Sequence, residues 1–519
     1  MAMSLIRWLG ECADRLLEWH ASWKPARLRL LPVLGLFLLA LCLRQFADLD
    51  LFARIALGRL IWRDGGVPLE DPFAYTPTKP VWYDHEWGAG FIFYGLARLG
   101  GDVALFAASF ALACAAIAVV YAALRELAGD RPAGVVWLGL GLLPCFIVWE
   151  PVIRSRVFTF LCFAVFLLVF ARLRVRGRTR LLWLLPAVTA AWANLHAGFV
   201  VGLMSLGVVA AWHVFERGRR AWPAALCLLA CVPATLINPY GAAFWRFVFE
   251  GVTKARVQIL EWQPTDPLSP RGLFLLATAA VLLLGWLRNR KSIPPEGLIL
   301  LAGSFIEAWK HFRLGPLFHW TAIVYGAGAF MTALDWARQA LPERVVELGR
   351  RVLTLAAAVG AVLGVYVGAW VLVQAESFTL SRHILPVEAM AWLRVNRSGG
   401  RMLVHFGEGS YALWQGHPEF LVSMDGRYEA VYPDEVVEDV YRAFHPDTPD
   451  LPGRVDEIGA DFMLLCEYYG DRPPPEAYGS AWRVIYRDEE CAILGREPNP
   501  GGAIGAPLPG RKEIWTPHF

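Results

Sequence analysis

The sequence lacks an excess of charge of either sign. Its 519 residues include 49 Lys and Arg and 46 Asp and Glu, a formal net charge of +3. So small an excess gives no basis for expecting nucleic-acid binding. The sequence also contains no zinc-finger spacing and no glycine loop of the phosphate-binding kind, which argues against both classes of site.

Cysteine is present but forms no framework. Seven of the nine cysteines lie before or within the apolar part of the chain, where cysteine behaves as a small apolar residue. Only Cys466 and Cys491 lie in the tail. They can form one disulfide if the tail is outside the cytoplasm, and the alternative is two separate free thiols.

Apolar residues, by contrast, are abundant and come in long runs. They make up 56% of the chain, with a mean hydropathy of +0.42, whereas soluble proteins contain about 45–50%. Many runs approach the ~20 residues that cross a bilayer as a helix. The first run lacks a cleavage site and is interpreted as a retained span, while 88–99 is too short to cross. We predict a polytopic α-helical membrane protein with eleven spans, at about 28–46, 103–125, 133–150, 157–173, 181–196, 198–215, 221–238, 272–288, 293–309, 314–335 and 351–374.

Charges between the spans predict the side of the membrane on which each loop lies. The N-terminus and alternate loops, for example Arg172–Arg180, are basic and are predicted to be cytoplasmic. Because the unusual polar groups all fall in the opposite loops, we expect the functional face to be the outer one. The predicted outer segments are 47–102, 150–156, 196–198, 239–271, 310–313 and everything after 375.

The composition changes after the last span. Residues 376–519 contain no spanning run and alternate between helix and strand patterns. We predict helices at 386–395, 410–415 and 433–444, and strands at 401–406, 420–424, 461–467, 482–487 and 491–494. The chain is thus predicted to comprise a cytoplasmic N-terminus (1–27), a transmembrane domain (28–375) with first external loop 47–102, a C-terminal extracytoplasmic (periplasmic) α/β domain (376–498) and a loose tail (499–519).

Several motifs, in order along nearly the whole chain, resemble those of a bacterial family. In the first external loop they are Asp48-Leu49-Asp50-Leu51, Gly58-Arg59-Leu60-Ile61, Gly66-Val67-Pro68 followed by Asp71-Pro72-Phe73-Ala74-Tyr75-Thr76, and His85-Glu86-Trp87. Further along they are Trp192–Phe199, Asn238–Gly241, Glu261–Pro264 and Asp425–Arg427. They resemble the polytopic glycosyltransferases of the GT-C superfamily. This class includes protein O-mannosyltransferases, the aminoarabinose transferase acting on lipid A, and oligosaccharyltransferases.

This resemblance implies transfer of a sugar from a polyprenyl-phosphate donor to a glycan, lipid or protein acceptor. The reaction would take place at the outer face of the bacterial inner membrane. The resemblance also implies an acidic residue at the start of the first external loop, acting as a base or metal ligand. Where it leads us to expect an aromatic pair and a His after Asp50, this chain has Phe52-Ala53-Arg54.

The residues alone also leave open a non-catalytic function. The alternatives are a carrier-lipid transporter or a scaffold in an envelope polysaccharide or glycoprotein pathway. A transporter needs polar residues deep in several spans, and the mid-span regions here are almost wholly apolar. The pattern therefore favours an enzyme that acts on a lipid substrate at the membrane surface.

Sugar transfer needs a base for the acceptor hydroxyl, and Asp50 is preferred over Asp48. Both residues follow the first span, and Leu49–Trp62 has the apolar spacing of an amphipathic helix lying along a membrane surface. In a helix the two side chains point roughly 200° apart, so only one faces the site. The alternative for either residue is an acidic cap at the N-terminus of that helix.

Positive charge for the leaving phosphate is predicted at two places where cations break the positive-inside trend. Binding a lipid phosphate is one interpretation of these residues. Snorkelling to headgroups, or pairing with Glu150 and Glu307, is the other. The candidates are Arg154 and Arg156 at one boundary and Lys310, His311 and Arg313 at the other.

The remaining candidates each have two interpretations. Asp84-His85-Glu86 could ligate a divalent metal, Mg or Mn, or anchor the loop through hydrogen bonds. Asn194 and His196 are costly in lipid and are predicted to face the protein interior, either as substrate contacts or as a packing pair. Glu261 and Trp262 could contact a sugar or anchor their loop. Asp425-Gly426-Arg427 is predicted to be an ion-paired turn at a strand end, with acceptor binding as the alternative.

Overall fold

The computed structural model describes residues 49–147, 153–177, 180–218, 222–253, 259–345, 347–349, 385–466 and 472–496, and the isolated positions 359, 362, 366 and 369. Asp48, Glu150, the predicted spans 28–46 and 351–374 and the predicted tail 499–519 lie outside these residues or almost wholly so. The described chain is mostly helical and contains one small sheet. The predicted α-helical class is thereby confirmed, while the number of spans and the division into domains stay predictions.

Within the described residues, each of the other nine predicted spans falls mainly on helix. The ends of the helices follow local sequence signals: Ser269 accepts a hydrogen bond from the N–H of Gly272 at 3.1 Å, and Pro270 is the first residue of its helix. The helices that precede the sheet are α1 (Leu49–Asp64), α2 (Trp87–Ala128), α3 (Pro132–Ile147), α4 (Arg156–Arg176), α5 (Leu185–Leu195), α6 (Phe199–Arg217), α7 (Trp222–Ala234), α8 (Ala243–Thr253), α9 (Pro270–Arg288), α10 (Pro295–Lys310), α11 (Gly315–Tyr325) and α12 (Ala327–Ala340).

Several of these helices are suited to a membrane. Among the described residues, four are long and apolar enough to cross a bilayer: α2, α4, α6 and α9. The number becomes five if Phe312–Tyr325 and Ala327–Ala340, which are bent by 70° relative to each other, form one span. The chain is therefore a membrane protein. Shorter apolar helices such as α3 and α7 remain predicted spans.

Helix α1 forms where it is predicted, but its environment differs from the prediction. Residues 51–58 are all buried, so the interpretation as an amphipathic helix with one face on a membrane surface is wrong. The reason is close packing through glycine: a Cβ on Gly58 would lie 2.2 Å from the carbonyl oxygen of Gly90 in α2. Glycine at this contact lets the two helix backbones touch, a feature that a count of apolar residues does not register.

The helical backbone of α2 is broken about a third of the way along, at Gly100 and Gly101. Gly101 has a φ of 55°, a left-handed value that glycine adopts readily. The break separates the segment before Gly100 from the long apolar segment after it, as the sequence predicts for 88–99 and 103–125.

The C-terminal part of the chain forms a five-stranded mixed sheet with helices. The elements are α13 (Val387–Asn396), β1 (Gly400–Leu403), α14 (Phe406–Gly416), β2 (Phe420–Val422), α15 (Asp434–Ala443), α16 (Leu451–Ile458), β3 (Phe462–Cys466), β4 (Trp482–Arg487) and β5 (Cys491–Arg496). The strand order is β2-β1-β3-β5-β4, with β1 parallel to β2 and β3, and β5 antiparallel to β3 and β4. All predicted strands and helices here are confirmed with small shifts. Helix α16 was not predicted, because Pro452 and Gly453 near its start are residues typical of a loop.

This sheet and the first external loop share one hydrophobic core. The main chain of the loop adds to edge strand β2: Val422 donates to the carbonyl of Phe73 at 3.0 Å, and Tyr75 donates to the carbonyl of Val422 at 3.1 Å. The ring of Phe52 in α1 meets that of Tyr411 in α14 at 5.0 Å, edge to face. The loop covers the sheet edge, and buried residues of α1, the loop and the sheet belong to the same hydrophobic cluster.

The two tail cysteines are joined. Cys466 in β3 and Cys491 in β5 are directly opposite residues of the antiparallel pair, and the structure links them as a disulfide. Of the two alternatives left open by the sequence, the structure therefore has the bridge.

Candidate functional site

Asp50 lies in the first turn of α1 and is ion-paired. Nη2 of Arg154 donates to Oδ2 of Asp50 at 2.5 Å, and Nη1 of the same guanidinium donates to Oε1 of Glu261 at 2.6 Å. Between about a sixth and a third of each of these side chains remains exposed. Three segments far apart in sequence thus bring their charged groups to one partly accessible place.

A second arginine extends this arrangement from the other side of Glu261. Nε of Arg313 lies 3.9 Å from Oε2 of Glu261, and its guanidinium lies over the ring of Trp262 at 4.5 Å from the centroid. The carbonyl of Trp262 is in turn 2.7 Å from Nδ1 of His311. The short helical turn Leu260–Trp262 and the turn Phe312–Leu314 are therefore tied together around the carboxylate.

The electrostatics of Glu261 reflect this setting. Burial alone would raise its pKa, but the charges of Arg154 and Arg313, with a further contribution from Arg156, lower it to about 2. Glu261 is thus ionised at neutral pH. Three arginines and two carboxylates, counting Asp50, leave one positive charge in this group, which we call the arginine cluster (Asp50, Arg154, Arg156, Glu261, Arg313).

The ion pair described for Lys310 is with a residue outside the arginine cluster. Lys310 pairs with Glu307 at 3.4 Å on an exposed part of the last turn of α10. This is one of the alternatives that the sequence left open for the residue.

A buried arginine holds both carboxylates of the Asp84-His85-Glu86 segment. Nη1 of Arg54 donates to Oδ2 of Asp84 at 2.6 Å, and its Nε lies 2.6 Å from Oε2 of Glu86. Burial alone would lower the pKa of Arg54, but Asp84 and Glu86 outweigh burial and raise it. Burial would likewise raise the pKa of Glu86, and Arg54 instead holds it well below its usual range. Both partners are therefore charged.

This geometry does not fit a divalent metal at the segment. The guanidinium of Arg54 already lies against both carboxylates, and a dication beside it would meet a fixed positive charge. Among the described residues, no group of three or more His, Cys, Asp and Glu side chains is arranged to hold a metal ion. The loop-anchor interpretation matches the contacts, and no chemical step is assigned to a metal here.

Glu86 connects this anchor to His196. Its Oε1 accepts a hydrogen bond from the hydroxyl of Ser155 at 2.5 Å and lies 3.6 Å from Nε2 of His196. On the other ring nitrogen, Nδ1 of His196 accepts the N–H of Gly198 at 3.0 Å. Since Nδ1 is an acceptor, the neutral ring carries its proton on Nε2, pointing toward Glu86.

The side chain of Asn194 forms hydrogen bonds that join separate segments of the chain. Its amide donates to the carbonyls of Ala190 and Ile237, both at 2.7 Å, and its oxygen accepts from Nε1 of Trp87 at 2.8 Å. These contacts connect the end of α5 to the start of α2. The packing alternative for Asn194 agrees with them.

A third network fixes the loop after β2. Arg427 is buried, pairs with Asp425 at 2.6 Å and with Asp71 of the first external loop, and lies over the ring of Trp82. Burial alone would lower its pKa, but Asp425 and Asp71 raise it well above the ordinary value. The predicted ion-paired turn is thus confirmed, and it also joins the sheet to the loop.

The middle residue of this turn touches the candidate base. A Cβ on Gly426 would lie 2.4 Å from Oδ1 of Asp50. The main-chain N–H of Gly426 donates to the hydroxyl of Ser410 in α14 at 3.1 Å. Asp50 therefore meets Arg154 through Oδ2 and the loop that follows β2 through Oδ1.

The structure brings most of the sequence candidates to this region and adds others. Arg154, Arg313 and Glu261 meet Asp50, while His196 and Glu86 form a neighbouring pair. Arg54 was noted in the sequence only as a departure from the expected motif, Asp71 was quoted only within a motif and given no role, and Ser155 was not singled out. The sequence signal available for Arg54 was an arginine within a mostly apolar helical stretch, followed in the next loop by acidic residues that can pair with it.

Comparisons with known proteins place the fold. No protein-family model and no curated protein sequence matches the chain. Among solved structures, the crystal structure of ArnT from Cupriavidus metallidurans in the apo state matches with a TM-score of 0.50 and 15% identity, over 88% of this chain and 95% of that one. ArnT is an aminoarabinose transferase with the GT-C fold.

The chain has the GT-C fold. The Archaeoglobus fulgidus oligosaccharyltransferase in complex with Zn and sulfate also matches, at a TM-score of 0.44 and 12% identity, over 84% of this chain and 68% of that one. The fold assignment rests on the first similarity alone. The resemblance seen in the sequence motifs is thereby confirmed at the level of the GT-C fold.

Proposed function

We propose that this GT-C protein is a membrane glycosyltransferase that moves a sugar from a polyprenyl-phosphate carrier to an acceptor at the outer face of the bacterial inner membrane. The observation that carries the proposal is the position of Asp50. Its carboxylate lies in a partly exposed cluster that has an excess of positive charge. A base and an anion site are thus adjacent, as this reaction requires.

In the proposed reaction Asp50 accepts the proton of an acceptor hydroxyl. The hydroxyl oxygen attacks the anomeric carbon, the bond from that carbon to the phosphate oxygen breaks, and the electron pair leaves with the phosphate. A single displacement of this kind inverts the anomeric configuration. The products are the glycosylated acceptor and the polyprenyl phosphate.

The arginines stabilise the departing phosphate. A sugar phosphodiester carries one negative charge, and the released phosphate monoester approaches two, so negative charge grows where Arg154, Arg156 and Arg313 are placed to meet it. Guanidinium groups are suited to this task because they stay charged and donate several parallel hydrogen bonds. Interactions that strengthen as charge develops accelerate the reaction.

The C-terminal sheet borders the acceptor side in this proposal. Gly426 lies against Oδ1 of Asp50, whereas Arg154 binds Oδ2, so we expect an acceptor hydroxyl approaching Asp50 to pass close to the loop that follows β2. The Cys466–Cys491 disulfide supports an oxidising, extracytoplasmic location for this part of the chain. That location agrees with the orientation predicted from the loop charges.

The test is transfer by purified protein in lipid. Radiolabelled polyprenyl-phosphate sugars serve as donors and a cell-envelope extract as acceptor. We expect wild type to transfer label and Asp50→Asn to lose roughly 10²–10⁴-fold in rate, the usual contribution of a general base. Asp64→Asn is the matched control because Asp64, at the other end of α1, is exposed and pairs only with its neighbour Arg63 among the contacts described for it.

Each outcome decides between the enzyme and its rivals. Equal transfer by wild type and Asp50→Asn, with both proteins folded, would remove Asp50 as the base. If no donor supports transfer while the protein still binds carrier lipid, the scaffold or transporter alternative replaces the enzyme.

A further inference from the structure

The contact between Asp50 and Arg154 poses a problem for catalysis. A carboxylate paired with a guanidinium at 2.5 Å is a poorer proton acceptor than a free one, because the pair stabilises its ionised form. The arginine that the reaction needs for the phosphate is thus also the arginine that restrains the base. Both groups cannot act while this pair stays closed.

We propose that the donor phosphate displaces Asp50 from Arg154, so that the base is released only when the donor is bound. This inference rests on the proposed function and adds an order of events to it. The donor binds first, Asp50 then becomes available to the acceptor hydroxyl, and the pair closes again after the polyprenyl phosphate leaves.

Glu261 is the carboxylate that stays in place. Arg154 lies against its Oε1 and Arg313 against its Oε2, so it is attracted from two sides. Its low pKa, about 2, shows how strongly these arginines favour its charged form. Asp50 accepts from Nη2 of Arg154, and a phosphate arriving at that nitrogen competes with it for the same donor. Glu261 therefore acts as a positioning residue that keeps Arg154 in the site during the exchange.

The surroundings of Asp50 restrict where it can go. Gly426 stands against its Oδ1, and the loop that contains Gly426 is held by the buried pair Arg427–Asp425. Since this loop is fixed, Asp50 leaves Arg154 by rotation of its own side chain rather than by movement of the sheet. The released carboxylate stays between the arginine cluster and the end of β2, where the acceptor is proposed to arrive.

The experiment measures binding of polyprenyl phosphate, which carries no sugar and cannot turn over. Its affinity for the full-length protein in lipid nanodiscs is compared among wild type, Asp50→Asn, Asp50→Ser and Glu250→Gln. If Asp50 competes with the phosphate, its removal strengthens binding by roughly fivefold, the worth of a partly exposed ion pair. Transfer is lost in the same two variants, so binding and catalysis change in opposite directions.

Glu250→Gln separates this competition from a general charge effect. Glu250 pairs with Arg246 at 2.9 Å on an exposed part of α8, and its removal deletes the same charge. We expect wild-type affinity in this variant. Equal tightening in Glu250→Gln, or unchanged or weaker binding in both folded Asp50 variants, would overturn the inference.

The proposed function and this inference can fail separately. Wild type that transfers sugar while the Asp50 variants bind no tighter retains the function and removes the displacement. Tighter binding by the variants with no transfer by wild type removes the enzyme and keeps the competition at Arg154. Thermal unfolding of every variant is measured in the same lipid, and the second substitution, Asp50→Ser, replaces Asp50→Asn if that variant does not fold.

Discussion

A methyl group at Gly426 is expected to disturb the candidate base without unfolding the protein. In Gly426→Ala the new Cβ would lie 2.4 Å from Oδ1 of Asp50 and 3.0 Å from Oγ of Ser410. Carbon and oxygen without a covalent bond approach to about 3.3 Å, so one of the groups must move by roughly 0.9 Å. The loop is held by buried Arg427, whereas the Asp50 side chain is partly exposed. The carboxylate is therefore the group that moves.

This displacement sets the expected loss of activity. A misplacement of about 1 Å at a reacting group can cost on the order of 10²-fold in rate, so we expect kcat of Gly426→Ala to fall by about that factor. The assay is sugar transfer at saturating donor, with thermal unfolding measured in parallel. Gly303→Ala is the control, because a Cβ there meets nothing within 4 Å. Wild-type kcat in folded Gly426→Ala would refute the contact between the loop that follows β2 and the base.

Two further predictions concern the ion pairs. The pKa of Glu261 is about 2 in the folded chain and about 4.5 for a glutamate in an unfolded chain, so the stabilisation that its charge provides is complete above about pH 4.5 and is lost as the pH falls toward 2. The difference in unfolding midpoint between wild type and Glu261→Gln is expected to be constant from about pH 7 to 5 and to shrink below it, and a constant difference down to the lowest pH would contradict this. Arg427→Leu leaves Asp71 and Asp425 buried without their cation and is expected to destabilise the fold by about 3–5 kcal/mol. Arg427→Lys is expected to lose less in the same unfolding assay, and a wild-type midpoint in the Leu variant would show that the network is dispensable.

Much of the fold could be predicted because its signals are local. Apolar runs of near-spanning length identify the helices, and alternation with turn residues identifies the strands around Asp425-Gly426-Arg427. The pairing of Cys466 with Cys491 could only be stated as an alternative, because cysteine spacing does not reveal strand register. Helix α16 was missed because its first turn contains Pro452 and Gly453, residues that usually indicate a loop.

The environment of α1 could not be predicted because it depends on contacts distant in sequence. Its apolar residues have the spacing of a one-sided helix, yet α2 and α14 cover it from different directions. The close approach at Gly58 and Gly90 uses the absence of side chains, which carries no periodic signal. Arg54 is buried in consequence, and its charge is accommodated by Asp84 and Glu86.

The sequence predicted which residues could belong to the candidate site, but it did not predict which of them contact one another. Cations on the predicted outer side identified Arg154, Arg156 and Arg313 among the candidates, together with Lys310 and His311, since they depart from the positive-inside trend. The sequence could not show that Glu261 lies between Arg154 and Arg313, because the residues belong to segments more than a hundred positions apart or on separate turns. The Asp84-His85-Glu86 segment suggested a metal because its ligand types are adjacent, and the long-range contact with Arg54 is what opposes that interpretation.

The most direct measurement is an experimental structure of the full-length protein with polyprenyl phosphate bound in lipid. We predict phosphate oxygens within hydrogen-bonding distance of Arg154 and Arg313, with Glu261 still between these arginines. We also predict that Asp50 has left Arg154 and remains beside Gly426. A phosphate bound away from the arginine cluster, with the Asp50–Arg154 pair intact, would contradict both the proposed site and the release of the base.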